Sequence, residues 1–127
     1  MSQKFPPPEK ANRPASVPEV NDFFDSIEFC LPSDIREFYM EINGGVWSNT
    51  DHFLGLWSIS DLIPMNVAYS VEEFAPEFFL IGSDGGGMAF VIEKGTGRIF
   101  WVPFIPMSSN EAELIAESMK ELLRKFE

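Results

Sequence analysis

Apolar residues recur at helical spacing twice in the first third of the chain. Val20, Phe23, Phe24 and Ile27 fall at i, i+3, i+4 and i+7, which predicts a short first helix with one buried stripe. Ile35, Phe38, Tyr39 and Ile42 repeat the stripe behind Pro32, whose missing N–H is no loss in a first helical turn. Asn43-Gly44-Gly45 predicts the stop, because glycine supplies the left-handed conformation in which the last carbonyls find donors. Phe53 to Trp57 is short, apolar and aromatic, which suits a buried strand. Ser58, three residues before Asp61, caps a predicted short helix carrying Ile59, Leu62 and Ile63 up to Pro64, and Val71 to Phe74 forms another.

The pattern then changes from helical to alternating and continuous apolar runs. Phe78 to Gly82 and Met88 to Ile92 read as two strands joined by the glycine-rich stretch 83–87. A second turn, 93–98, leads to a third strand, Ile99 to Val102, of an antiparallel meander. Pro103 and Pro106 lack the N–H a ladder needs and limit further pairing. A final helix is predicted from Ser108 or Asn110, with Glu111 and Glu113 as capping partners and Leu114, Ile115, Met119, Leu122, Leu123 and Phe126 on one apolar face. Helices, then a meander, then a helix predict an α+β domain in which helices cover a twisted antiparallel sheet.

Residues 1–18 hold five of the ten prolines and no apolar period, so they are expected as a flexible leader to a single domain over 19–127. Phe5-Pro6-Pro7-Pro8-Glu9 offers prolines where a secretory signal needs an apolar run, and no stretch approaches the roughly 20 apolar residues of a membrane span. With one cysteine, Cys30, an internal disulfide is impossible, and the cytoplasm is the expected compartment. The chain carries a net charge of −11, and residues 14–127 carry −13, from six basic and nineteen acidic side chains. Such a balance repels nucleic-acid backbones and anionic membranes and favours a basic protein partner.

Candidate chemistry is sparse. Ser-His-Asp catalysis needs an oriented histidine, and His52 is the only one. Its neighbour Asp51 points to the opposite face of an extended segment. Cys30, between Phe29 and Leu31, is equally explained as a small buried hydrophobe. One His, one Cys and scattered carboxylates make no zinc or calcium spacing, and the glycine-rich stretch lacks the Lys and Ser/Thr of a P-loop, so no metal or cofactor is implied. Two sequence-local acidic clusters stand out: Asp22, Asp25 and Glu28, and Glu72, Glu73 and Glu77 with Asp84. Trp57 reads as core, whereas Trp47, between two glycines and Ser48-Asn49-Thr50, reads as an exposed aromatic anchor.

Leu31-Pro32 opening an aromatic helix that ends Asn43-Gly44-Gly45, then Phe53 to Trp57, the stretch Leu56 to Leu62 before Asn66, and Ile81-Gly82-Ser83-Asp84-Gly85-Gly86-Gly87 occur in an order that resembles the SUKH superfamily. That superfamily includes fungal cell-wall-synthesis regulators and many bacterial immunity proteins. The resemblance implies an α+β fold without enzymatic activity and a protein partner, often a secreted toxin such as a nuclease. The charge agrees, since a nuclease presents a basic surface that an acidic domain occludes. Glu72, Glu73, Glu77 and Asp84, with Trp47, are the expected partner-binding residues, chosen by charge and exposure. A regulatory scaffold of the cell-wall type is the alternative, and a small hydrolase using His52 or Cys30 a third reading.

Overall fold

The structure is a computed structural model that describes residues 4–105 and 107–126. Met1 to Gln3 of the expected leader, Pro106 with its expected effect on pairing, and Glu127 lie outside them. Among the described residues, strands β1 (Lys10–Ala11), β2 (Gly45–Ser48), β3 (Phe53–Leu56), β4 (Phe78–Ser83), β5 (Met88–Glu93), β6 (Ile99–Pro103) and β7 (Glu113–Ala116) form one antiparallel sheet whose spatial order follows the chain. Helices α1 (Val17–Ser26), α2 (Ser33–Glu41), α3 (Ile59–Ala68), α4 (Val71–Phe74) and α5 (Met119–Arg124) cover it, which is the expected α+β architecture.

The continuous apolar runs of β4 and β5 follow from burial on both sides. Phe79, Ile81, Phe90 and Ile92 face the main core with α1, α2, α3 and α5. The intervening Phe78, Leu80, Ala89 and Val91 pack on the other face with Val71, Ala75 and Met107. A central strand covered twice has no polar side to alternate with. Trp57 packs against both clusters. Tyr39 is fully buried, and its hydroxyl donates to the Trp57 carbonyl at 3.0 Å; burial holds its pKa well above the ordinary phenol range.

Five expectations need correction. The described part of the leader is packed on the sheet. Phe5 is 4% exposed and meets Phe38 edge to face, 5.5 Å between ring centres. Glu41 accepts from the N–H groups of Lys4 and Phe5, and β1 pairs with β2. A single anchoring aromatic followed by prolines has no period, so pattern reading passes over it, yet prolines hold the chain extended along an edge.

Trp47, expected at the surface, is 2% exposed in β2, tilted against Phe38, with its Nε1 donating to the Pro6 carbonyl at 2.9 Å. The docked N-terminal segment covers it.

The last helix is also shorter than predicted. Residues 113–116 form β7, pairing Ala116 with Ile99 and Leu114 with Phe100. Ser108 caps only a 3-10 turn at Ser109–Glu111. The cap of the final helix is Ser118, whose Oγ accepts from Glu121 N–H at 3.2 Å, and the Glu121 carboxylate accepts from the N–H of Glu117, one residue before the cap. Asp34 of α2 accepts from Met119 N–H at 3.1 Å and so satisfies another free donor at the start of α5; burial raises its carboxyl pKa in spite of that bond.

Helix α2 does not end on glycine, because Ile42 is its extended cap and donates to the Phe38 carbonyl at 2.7 Å. Gly44, φ +78°, instead brings the backbone against β3, where an added Cβ would stand 2.5 Å from the Trp57 carbonyl oxygen. Asn43 closes this junction. Its Nδ2 donates to the Arg13 carbonyl at 2.8 Å and its Oδ1 accepts from Ile59 N–H at 2.8 Å, capping α3 in place of Ser58.

Candidate functional site

Helix α3 runs through Pro64, whose missing N–H removes one helical bond, to the carbonyl of the exposed residue Ser60. The helix is apolar on two sides. Ile59 and Leu62 face the core, while Ile63 and Val67, one turn apart, remain 40% and 72% exposed. Ser70, in the left-handed conformation at φ 53°, turns the chain from α3 into α4, where Phe74 is 57% exposed. Large apolar side chains therefore collect at this corner without an internal partner.

Ile63 and Val67 border an open groove of about 450 Å³ between the end of α1, the following residues Ile27 and Phe29, α3, α4 and the start of β4. Phe29 packs on Phe79 with ring centres 5.2 Å apart, which forms the aromatic floor. Glu72 and Glu73 stand in the wall. Lys94, from the β5–β6 turn, is the one cation among the described lining residues. Its Nζ lies 3.0 Å from Glu72 Oε2 and 4.6 Å from the centre of the Phe29 ring, so it is held by an ion pair and an aromatic face. Next to it, Glu93 accepts from Thr96 and Arg98, and these bonds hold its carboxyl below the ordinary glutamate range. Asp22, Asp25 and Glu28 are exposed beside the groove's α1 end. The result is an apolar trough with an acidic border.

The predicted acids are divided by the β4–β5 hairpin. Glu72, Glu73 and Glu77 lie at its open end, and Glu77 accepts from Lys94 N–H through its carbonyl. Asp84 lies beyond the other end of the six-residue β4, roughly 20 Å away at about 3.3 Å per residue. Its carboxylate is occupied by the turn, accepting from Gly86 N–H at 2.7 Å and Met88 N–H at 3.1 Å. Gly85 and Gly87 have positive φ, as expected of that turn.

The two candidate nucleophile components are separated in the same way. Cys30 is exposed, contrary to its reading as a buried hydrophobe, and its carbonyl accepts from Gly95 N–H at the open end. His52 is exposed at the glycine-turn end, edge to face with Phe126 at 5.9 Å.

Two other hollows are less apt. A polar one of about 610 Å³ lies between residues 12–16 and Ser58 to Asp61, and its lining groups Asn12, Ser16, Asn43 and Ser58 already bond within the fold. Another of about 450 Å³ surrounds His52, Asp84 and Trp101. The sequence reading passed over Ile63, Val67, Phe29 and Lys94 as site residues. The signal was present in α3, whose apolar positions exceed one stripe, but it was hidden by ending that helix at Pro64.

Among the described residues no helix is long and apolar enough to cross a membrane. A family model described as SMI1 / KNR4 family (SUKH-1) matches residues 14–125. No curated protein matches the chain.

Proposed function

The chain belongs to the SMI1 / KNR4 family (SUKH-1), and from that premise we propose that it is a non-enzymatic, cytoplasmic protein-binding domain of the immunity type, directed at a basic toxin. The observation that carries this reading is the juxtaposition of an open apolar trough with Glu72 and Glu73 in its wall, and with Glu77 directly before its lining residue Phe78, on a chain of net charge −11. A nuclease must hold a basic surface towards phosphate, and an acidic face that covers the surface stops it without making or breaking a bond. Asp84 and Trp47 drop out of the contact set, the first because its carboxylate holds a turn and the second because it is core.

Affinity capture from the chain's own cells, at low and at high salt, tests the reading. The supporting result is a basic protein retained only at low salt whose nuclease activity falls in proportion to the added chain and stops at one equivalent. Salt-insensitive capture of a neutral or acidic protein contradicts it. That outcome supports the second reading, a scaffold of the cell-wall-related type, which the exposed Ile63 and Val67 favour because an apolar seat accepts a disordered tail of any charge.

A further inference from the structure

We propose that the trough at the α3–α4 corner seats an amphipathic helix of the partner, with apolar side chains against Phe29, Ile63 and Val67 and flanking lysines or arginines facing Glu73 and Glu77. This rests on the protein-binding reading above and names the chemistry of the bound segment. The groove is open and holds about 450 Å³. The walls are helical and the floor aromatic, the arrangement in which helix-in-groove recognition places residues at i, i+3, i+4 and i+7.

Charge selects among possible occupants. Lys94 is already committed to Glu72 and to the Phe29 ring. Glu73 and Glu77 make no ion pair among the described residues, so the border retains negative charge that only a cationic segment complements. A second copy of the chain brings another −11 and is repelled, and an anionic lipid surface is repelled for the same reason.

The test uses the full chain and three fluorescent peptides: leucines at i, i+3, i+4 and i+7 flanked by lysines, the same leucines flanked by glutamates, and the lysine peptide with its leucines replaced by serine. The lysine-flanked leucine peptide is expected to bind at least about tenfold more tightly than either control. Val67→Lys, which changes an exposed side chain, and Ile63→Ser, which removes apolar surface without adding charge, are each expected to weaken it about tenfold with the thermal midpoint held.

Equal binding of the three peptides overturns the inference, as does indifference to both variants. Self-association of the chain that Val67→Lys abolishes overturns it in favour of a second copy. Salt-sensitive capture of a basic partner by Val67→Lys, undiminished from the unsubstituted chain, removes the trough and leaves the protein-binding reading standing. Peptide selectivity without any captured basic partner does the reverse.

Discussion

The side-chain amide of Asn66 bonds both backbone polar groups of Leu80, accepting from its N–H at 2.8 Å and donating to its carbonyl at 2.9 Å. β3 pairs with β4 only through Gly55 and Leu56, so Leu80 lies past the end of its neighbour strand and Asn66 takes the place of the missing one. The same Nδ2 donates to the Leu62 carbonyl at 2.8 Å, which ties α3, and with it the wall of the trough, to the sheet. Asn66→Leu keeps the size and leaves Leu80 unsatisfied on both groups. Urea denaturation is expected to show a loss of about 2–3 kcal/mol; a loss below about 0.5 kcal/mol, the size of an ordinary surface change, contradicts the role.

The docked N-terminal segment makes a second expectation. Phe5→Ala removes a buried ring from between Phe38 and its neighbours and is expected to cost about 3 kcal/mol in the same assay. A leader without fixed contacts would give no change.

Two glycines of the family-like stretch should separate cleanly. A Cβ on Gly82 would stand 2.3 Å from the Gly55 carbonyl oxygen, whereas one on Gly86 meets nothing nearer than Asp84 at 3.6 Å. Gly82→Ala is expected to lose about 1–3 kcal/mol or more through strand separation. Gly86→Ala should stay within about 0.5 kcal/mol of the parent. Similar melting midpoints for the two would contradict the close crossing of β3 and β4.

Glu93 gives a dependence on pH. Its folded pKa lies below the ordinary value because Thr96 and Arg98 bond the carboxylate, so its contribution is present above the unfolded pKa and is lost as pH falls through the folded one. Glu93→Gln is expected to cost about 0.5–1 kcal/mol at neutral pH, discounted for partial exposure, and nothing once both states are protonated. A deficit that persists unchanged in acid contradicts this origin.

The central meander was legible because β4 and β5 are apolar on consecutive residues between turn-forming glycines, and both features come from local chemistry. α1 and α2 were legible for the same reason. Two things were set by partners distant in the chain and left no local trace. Trp47 is buried because Pro6 and Phe5 come back over it. Residues 113–116 extend because β6 offers an edge, although their composition also fits a helix. The parting of the acids near residues 72–77 from Asp84 was legible, since the strand that runs between them is itself a local apolar run. Much of the stretch that resembles the SUKH superfamily, Asn43, Gly44, Asn66, Gly82 and Asp84, holds chain crossings and turns. It therefore identified the fold while the trough stayed hidden among exposed residues.

The most direct measurement compares two charge reversals of equal size on the captured partner. One variant carries Glu72→Lys, Glu73→Lys and Glu77→Lys at the trough; the other carries Glu111→Lys, Glu113→Lys and Glu117→Lys, exposed acids of the 3-10 turn and β7 region. Titration calorimetry across a salt series is expected to show the trough variant at least about tenfold weaker with a flatter salt dependence, and the control within about threefold of the unsubstituted chain. Equal weakening by both variants would mean that net charge alone attracts the partner, and no weakening by the trough variant would place the contact elsewhere.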